Sequence, residues 1–434
     1  MVAIFALIGI PLIFRGTPVR DVIGFDDAGA DAFTSLAFHA VAEFATRTPL
    51  DGGASIEILN DGNGFFPRLW QDLRGAQRSI TVVNYYAADG VLSDTLASLL
   101  SDRSRAGVRV FFVYDPIGSI ALSHVWFDRL RESGVRIAEF RPLRWYRLDR
   151  ANHRTHARGV VIDGQIAYTG GYGFDDRWLG DGRSPDEWRE TNVRLTGSAV
   201  GPLQAIFVAH WAEAAGELLL ASSLAGPVAA EQTEPEAHSP GPPNTQASPD
   251  SLSRVGILYS QAGFGSSTAE RALAFSVATS QRTLFIANSY FVPDDDFVRM
   301  LCDAEARGVD VRVLTNSGKS DVPIVWLAGR HRYNRLLACG VRVYEYQPTV
   351  LHSKTLVVDG AWSLIGTINF DNRSLAFNDE VSVIALDRVI GARMDSLFHE
   401  DLKFAREIEP ERFAERGFWQ KVREAAADLV SRWL

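Results

Sequence analysis

Two stretches of the chain repeat one spacing of reactive groups: a histidine, a basic residue two positions later and an aspartate seven positions later. The residues are His156, Arg158 and Asp163 in the first stretch, and His352, Lys354 and Asp359 in the second. Residues i and i+2 of an extended segment point to the same face, so each histidine would share a face with its cation. One neutral imidazole can attack phosphorus, the other can protonate a leaving alkoxide, and the cations can stabilise the developing charge. The pattern therefore indicates phosphodiester chemistry through a covalent phosphohistidine, which requires no metal or other cofactor.

A turn rich in small residues follows each histidine and predicts phosphate contacts. Gly171 in the first turn would let the backbone approach a phosphate, and Thr367 and Asn369 in the second would supply polar groups beside it. Together with Arg158 and Lys354, these residues form the predicted phosphate-binding set.

Four acidic residues accompany the two motifs. Glu190 and Glu380 are predicted to accept a proton from a histidine ring nitrogen and so to fix its tautomer and orientation. Asp163 and Asp359 belong to the candidate catalytic set through their spacing. Each is followed by glycine, however, which is more typical of a turn after a strand.

The halves of the chain repeat each other well beyond the reactive groups. Four landmarks recur at near-constant shifts of 204, 201, 206 and 196 residues. They pair 78–86 with 282–290, 107–110 with 308–311, 134–142 with 340–348, and His156 with His352. Such regularity indicates a duplication. Two halves placed face to face would join two half-sites into one site.

A change in composition separates the two halves. Residues 226–250 contain six prolines and four acidic residues but no Lys or Arg, which predicts a flexible linker that buries little apolar surface. We predict an N-terminal segment over 1–50, a first domain over 51–221, the linker over 222–253 and a second domain over 254–434.

Hydrophobic periodicity predicts the same α/β architecture in both halves. Apolar runs at 80–86, 109–114, 284–288 and 311–314 are typical of buried strands. Amphipathic stretches at 90–105 and 297–307 end just before Gly107 and Gly308, as helices closed by glycine do. The alternation predicts a parallel or mixed sheet covered by helices in each half.

The net charge, the two cysteines and the N-terminal residues predict the kind of partner, the state of the thiols and contact with a membrane. A formal net charge of −9 disfavours a nucleic-acid partner. Cys302 and Cys339 lie among aliphatic residues, which favours buried free thiols. The uncharged run Val2–Phe14 spans about 20 Å as a helix, shorter than the roughly 30 Å hydrocarbon core, and predicts an interfacial or truncated membrane anchor.

With these motifs, the chain resembles the phospholipase D superfamily, and within it the bacterial cardiolipin synthases. The likeness extends from about Gly52 to Ala405 and includes the run Asn369–Ser374. The resemblance implies two similar α/β sandwich domains related by pseudo-twofold symmetry, with the active site at their interface. It also implies transfer of a phosphatidyl group between two phosphatidylglycerols with release of glycerol.

The resemblance further implies that His156 is the nucleophile and His352 the acid. The first motif departs from the family pattern at two positions. Arg158 stands in place of Lys, and Gly173 stands where many members have Asn. Arg keeps the charge but is planar and bulkier, and Gly173 removes an amide donor.

Three activities fit the sequence besides phosphatidyl transfer. A phospholipase D hydrolase would use water as acceptor and release phosphatidate. A weakly active or non-catalytic relative would mainly bind lipid. A nuclease is the third alternative, and the negative net charge disfavours it. We expect a phospholipid substrate, contact with the surface of the bacterial inner membrane, and no nucleic-acid partner; phosphatidylglycerol is the expected lipid. Tyr85-Tyr86 and Trp145-Tyr146 are candidates for an acyl-chain entrance or for core packing. The oligomeric state does not follow from the sequence.

Overall fold

The computed structural model of the protein describes residues 32–143, 152–220, 253–261 and 266–430, together with Val19, Val22 and Leu224. The apolar run Val2–Phe14, nearly all of the predicted linker and Trp145-Tyr146 lie outside these residues. Within the described ranges, no helix is both long and apolar enough to cross a membrane.

The first half of the chain forms a seven-stranded sheet with helices on it. Its strands are β1 (Ala54–Asn60), β2 (Ser79–Asn84), β3 (Arg109–Tyr114), β4 (Arg136–Glu139), β6 (Gly159–Ile162), β7 (Ile166–Gly170) and β8 (Thr191–Gly197), in the order β1-β8-β7-β6-β2-β3-β4. Its helices are α2 (Asp61–Gly75), α3 (Val91–Arg105), α4 (His124–Glu132) and α5 (Val200–Ala215), with a 3-10 turn at Asp176–Trp178.

The second half repeats this arrangement in a nine-stranded sheet. Its strands are β9 (Arg254–Ser260), β10 (Thr283–Asn288), β11 (Asp310–Asn316), β12 (Arg342–Tyr346), β13 (Lys354–Val358), β14 (Trp362–Gly366), β15 (Asn378–Leu386) and β16 (Ala405–Glu407). Its helices are α6 (Thr268–Thr279), α7 (Asp295–Ala306), α8 (Pro323–Ala338), α9 (Asn372–Ala376), α10 (Arg388–Leu402), α11 (Pro410–Ala414) and α12 (Phe418–Val430). The ninth strand is β5 (Arg154–Thr155), which comes from the first half of the chain and pairs with β15.

The repeated elements have the same pairing in both halves. Strand β2 pairs parallel with β3 and antiparallel with β6, and β10 pairs parallel with β11 and antiparallel with β13. Helices α3 and α7 are followed by Gly107 and Gly308, both at φ +92°, a conformation that glycine adopts at little cost. The predicted fold class, two similar α/β units with mixed sheets, is confirmed. The domain limits stay predictions.

An apolar layer joins the two halves through the faces of their sheets. Val161, Val193 and Leu195 of the first sheet share one buried cluster with Phe285 and Val357 of the second. Because this layer is continuous, the motifs that end on either side of it are held at a fixed separation.

One helix at the start of the described chain packs against the second half. Helix α1 (Leu36–Thr46) follows a 3-10 turn at Ala32–Thr34, and Ser35 caps its N-terminus by accepting a hydrogen bond from the Phe38 backbone N–H. Phe38 contacts Phe275 and Trp362, with ring centroids 5.4 and 5.9 Å away. Part of the predicted N-terminal segment therefore belongs to the core of the second half.

The prediction of two free thiols is wrong. Cys302 on α7 and Cys339 directly after α8 form a disulfide, with their Cα atoms 5.5 Å apart. Their aliphatic neighbours correctly indicated apolar surroundings but carried no information on the distance between two adjacent helices.

Candidate active site at the junction of the two halves

The two motifs converge at one cavity between the halves. His156 and Arg158 immediately precede β6, and His352 and Lys354 lie at the start of β13. All four side chains are buried. The cavity has a volume of about 550 Å³, and residues of both halves line it, including His156, Arg158 and His352. The structure thus joins the two half-sites that the repeated spacing predicted.

Each histidine is paired with the glutamate of the opposite half. His156 Nδ1 lies 2.9 Å from Glu380 Oε2 and 3.1 Å from Glu380 Oε1. His352 Nδ1 lies 2.6 Å from Glu190 Oε2. A carboxylate only accepts, so His156 presents a protonated Nδ1 to Glu380, whereas His352 Nδ1 lies between Glu190 and the Lys354 ammonium. Neither ring can be held in this way by one half alone.

Backbone hydrogen bonds reinforce the crossed arrangement. The His156 N–H donates to the Asp379 carbonyl oxygen at 2.8 Å, and the His352 N–H donates to the Arg189 carbonyl oxygen at 2.7 Å. Asp379 and Arg189 are the residues directly before the two glutamates. Each motif is therefore fixed to the segment that carries the glutamate of the other half.

Arg158 defines the tautomer of the first histidine. Its Nη2 lies 3.4 Å from His156 Nε2, and guanidinium has no acceptor, so Nε2 of His156 must offer its lone pair. Arg158 Nη1 donates to the Gly171 carbonyl oxygen at 2.6 Å, and this second contact fixes the guanidinium. A neutral imidazole with an unprotonated Nε2 and an anchored Nδ1–H is the form that attacks an electrophile.

The second histidine has a different environment. Lys354 Nζ lies 2.9 Å from His352 Nδ1 and also donates to the His352 carbonyl oxygen. Desolvation by burial lowers the pKa of His352, and the Gly171 carbonyl beside the ring only partly opposes this shift. Lys354 is not among the residues that line the cavity, so contact with a phosphate would require its Nζ to turn away from His352.

Burial sets the protonation of the site. Desolvation lowers the pKa of His156, and desolvation together with Lys354 lowers the pKa of His352 well below its usual value. Desolvation also lowers the pKa of Lys354 to about 7 and raises that of Glu190 to about 7, while the attraction between these two groups opposes both shifts. A phosphodiester in the cavity would add negative charge and so raise the pKa of both rings and of Lys354.

The two glutamates are held by different residues. Glu380 accepts hydrogen bonds from the hydroxyls of Thr367 and Ser374, the latter at 2.6 Å. Glu190 accepts from the Thr191 N–H at 3.0 Å and from the Trp178 indole N–H at 3.5 Å. In the register of the repeat, Trp178 occupies the position of Ser374.

Two residues of the predicted phosphate-binding set, Thr367 and Gly171, contact other protein groups in the structure, and their phosphate role stays a prediction. Thr367 is fully buried, and its hydroxyl holds the Glu380 carboxylate. Gly171 directs its carbonyl to Arg158, and a Cβ at this position would lie 2.7 Å from Glu190 Cδ. Glycine is required here because the carboxylate occupies the space of a side chain.

Asn369 fits the predicted role. It lines the cavity, and its Oδ1 accepts a hydrogen bond from the Ser289 hydroxyl at 3.0 Å, which directs the amide NH₂ away from Ser289. Its counterpart Gly173 has no room for such a side chain, since a Cβ there would lie 2.8 Å from Cζ3 of Trp178. The indole therefore fills the space that an amide would use.

Asp163 and Asp359 lie at the far ends of β6 and β13 from the histidines, and their place in the catalytic set stays a prediction. Each accepts three hydrogen bonds from the backbone at the start of the neighbouring strand, at 2.6–3.0 Å. Each stands at positive φ before a glycine that also has positive φ, in the Asp-Gly pattern of a tight hairpin turn. The turn interpretation of these residues agrees with the structure.

Several cavity residues were not predicted from the sequence. Tyr85 and Tyr86 line the cavity, and their role at an acyl-chain entrance stays a prediction. The unpredicted lining residues are Arg177, Trp178, Trp188, Tyr290, Asp321, Val322, Val325, Asp371, Arg373 and Asn378. Arg177 and Arg373 occupy matching positions of the repeat, 21 residues after His156 and after His352. The register of the duplication is the signal that could have identified them.

Fold and site together define an enzyme of the phospholipase D type, with two repeats that share one active site. The family described as cardiolipin synthase, phospholipase D-like domain, matches residues 69–211 and 276–402. The chain belongs to this family.

Similar proteins agree with that assignment. A cardiolipin synthase of Geobacillus kaustophilus is 32% identical over 386 residues, covering 88% of this chain and 73% of the relative. Cardiolipin synthase 2 of Bacillus anthracis is 33% identical over 375 residues, covering 86% and 69%. The crystal structure of phosphatidylserine synthase from Haemophilus influenzae has the same fold, with a TM-score of 0.63 at 13% identity, covering 91% of this chain and 99% of that one.

Proposed function

We propose that this protein is a phosphatidyltransferase that joins two phosphatidylglycerol molecules into cardiolipin through a covalent phosphohistidine. The observation that carries the proposal is the asymmetry of the two crossed pairs. His156 presents a lone pair on Nε2 beside Arg158, whereas His352 has Lys354 and the Gly171 carbonyl beside its ring.

In the first step, His156 Nε2 attacks the phosphorus of the donor lipid. A P–N bond forms and the P–O bond to the headgroup glycerol breaks, while His352, protonated beside the bound anion, gives its proton to the departing glycerol oxygen. Arg158 and Lys354 stabilise the negative charge of the pentacoordinate transition state. Glu380 balances the positive charge that develops on the His156 ring.

In the second step, the same groups work in reverse. The hydroxyl of a second phosphatidylglycerol gives its proton to the now neutral His352 and attacks phosphorus, so a P–O bond forms and the P–N bond breaks. The catalytic set for both steps is His156, Arg158, His352 and Lys354, and Glu190 and Glu380 orient the histidines.

The experiment is product analysis with purified protein and phosphatidylglycerol vesicles. We expect cardiolipin and glycerol in equal amounts, and no turnover by His352→Ala with its fold confirmed by circular dichroism. Phosphatidate in place of cardiolipin would support the hydrolase alternative. Vesicle binding with no lipid product would support the lipid-binding relative.

We also propose that the enzyme works at a membrane surface. Helix α12 leaves Phe418, Trp419 and Leu429 more than 70% exposed, and Lys421 and Arg423 lie on the same helix. Aromatic and basic residues on one exposed helix are typical of an interfacial contact with anionic lipid. Sedimentation with vesicles of phosphatidylglycerol should deplete the protein from solution, and Trp419→Ser should weaken this binding. Equal sedimentation of the variant would contradict the assignment of this helix.

A further inference from the structure

The cavity contains two arginines at matching positions of the repeat, and the two have different partners. Arg177 and Arg373 both line the cavity, and both are partly exposed. If their role were only structural, we would expect similar partners in the two halves.

Arg177 is neutralised by its own half. Asp175 accepts from its Nε at 2.9 Å and from its Nη2 at 3.0 Å, and Nη2 also donates to the Tyr86 hydroxyl. The guanidinium lies 4.5 Å from the centre of the Trp188 ring. These contacts occupy the donors and offset the charge.

Arg373 is not neutralised in this way. Its Nη1 donates to Asn152 Oδ1 of the first half at 3.0 Å, and an amide carries no charge. Asp371, the counterpart of Asp175, accepts from the Ser374 N–H at 2.7 Å and interacts with Arg373 through its charge without a direct contact. Among the residues that the structure describes, no carboxylate forms an ion pair with Arg373.

The remaining donors of Arg373 fit a phosphate. Guanidinium is a planar fork, and with Nη1 on Asn152 the Nε and Nη2 groups remain to hold two oxygens of an anion. The reacting phosphate belongs between His156 and His352. Arg373 therefore offers a second anion position in the same cavity.

We infer that Arg373 binds the phosphate of the acceptor lipid and so favours transfer over hydrolysis. This inference rests on the proposed function. The acceptor carries its own phosphodiester on the glycerol whose hydroxyl attacks, so the second step brings two phosphates into one cavity. A water acceptor brings none, and Arg373 would give it no advantage.

The test compares acceptors with and without a phosphate. Donor phosphatidylglycerol labelled in its acyl chain is supplied either with excess phosphatidylglycerol or with ethanol, which yields phosphatidylethanol. In Arg373→Gln we expect cardiolipin formation to fall about 10- to 100-fold, as for loss of a charged hydrogen-bonded contact, with a rise in the share of phosphatidate. Phosphatidylethanol formation should change less than about threefold, since that acceptor has no phosphate to bind.

Matched variants separate this role from a general loss of structure. Arg177→Gln should leave the ratio of cardiolipin to phosphatidate unchanged, because Asp175 already neutralises that charge. Arg373→Lys keeps a positive charge and should recover part of the transfer. Parallel loss of cardiolipin and phosphatidylethanol, or an unchanged product ratio in Arg373→Gln, would overturn the inference. If the unmodified enzyme forms phosphatidylethanol but no cardiolipin, the proposed transfer to phosphatidylglycerol itself fails.

Discussion

The two halves of the active site share a plan but differ in the residues that carry it out. In both, a histidine, a cation and a glutamate from the opposite half meet at the cavity. The matched positions are Arg158 and Lys354, Gly171 and Thr367, Gly173 and Asn369, and Trp178 and Ser374. The first half has the larger side chain at the cation position (Arg in place of Lys) and at residue 178 (Trp in place of Ser). Between these positions it has glycine at residues 171 and 173, where the second half has Thr and Asn.

These differences compensate one another. The indole of Trp178 takes the space of a side chain at residue 173 and supplies Glu190 with a donor, as Ser374 does for Glu380. The first half therefore departs from the family pattern at Arg158 and Gly173 together with Trp178, and His156 still contacts a cation and a glutamate. The comparison predicts different tasks for the two halves, with attack assigned to the first and proton transfer to the second.

The largest expected effects come from the crossed glutamates. Glu380→Gln and Glu190→Gln should each lower kcat for cardiolipin formation by about 10²- to 10⁴-fold, because each removes the anchor of a catalytic ring. A lipid substrate with a nitrophenol leaving group separates the two variants, since that group departs without a proton. Release of nitrophenol in the first turnover should approach the unmodified rate in Glu190→Gln, which affects His352, and should stay low in Glu380→Gln, which affects His156. The opposite pattern would show that each glutamate serves the histidine of its own half.

The next largest effect is on the pH dependence of kcat/KM, which distinguishes Lys354 from Arg158. Burial lowers the pKa of Lys354 to about 7, so its charge is present below that pH and is lost as the pH rises through it. We expect kcat/KM of the unmodified enzyme to fall on the alkaline side, by about tenfold per pH unit at most. Lys354→Arg keeps its charge, as Arg158 does, and should move the alkaline limb to higher pH even if its maximal rate is lower. An alkaline limb at the same pH in both proteins would assign it to another group.

A smaller effect concerns the space beside Trp178. Gly173→Asn should destabilise the protein by about 1–3 kcal/mol, because its Cβ would be forced against the indole. The same change in a Trp178→Ser background should cost less, although Trp178→Ser alone will itself be destabilising. Chemical denaturation of the four proteins measures this coupling. Additive free energies of unfolding would show that the two positions are independent.

The smallest effect is expected at Arg158. Lys at this position can keep the charge but only one of the two contacts, to His156 or to the Gly171 carbonyl, so we expect kcat to fall about tenfold or less. Steady-state kinetics at one pH suffices for the comparison. A rate above that of the unmodified enzyme would mean that Arg158 impairs the first half.

Much of the fold and part of the site could be predicted from the sequence. The duplication and the strand–helix alternation depend on patterns in the sequence, and the convergence of His156 with His352 was inferred from the duplication. The crossing of Glu190 and Glu380 could not be predicted, because pairing within one half satisfies the sequence equally well. Spacing also does not reveal which way a side chain points, so the contact of the Thr367 hydroxyl with Glu380 could not be predicted. The asymmetry between Arg177 and Arg373 depends on Asn152, which is distant in sequence from both.

The most direct test of the assigned tasks is to locate the phosphorylated residue. Protein mixed briefly with phosphatidylglycerol that carries labelled phosphate, then denatured at alkaline pH, preserves a phosphohistidine for peptide mapping by mass spectrometry. The control is His156→Ala, which should carry no label. We predict the label on His156 in the unmodified enzyme. Label on His352 would reverse the roles of the two halves, and its absence from both histidines during active turnover would contradict the covalent mechanism.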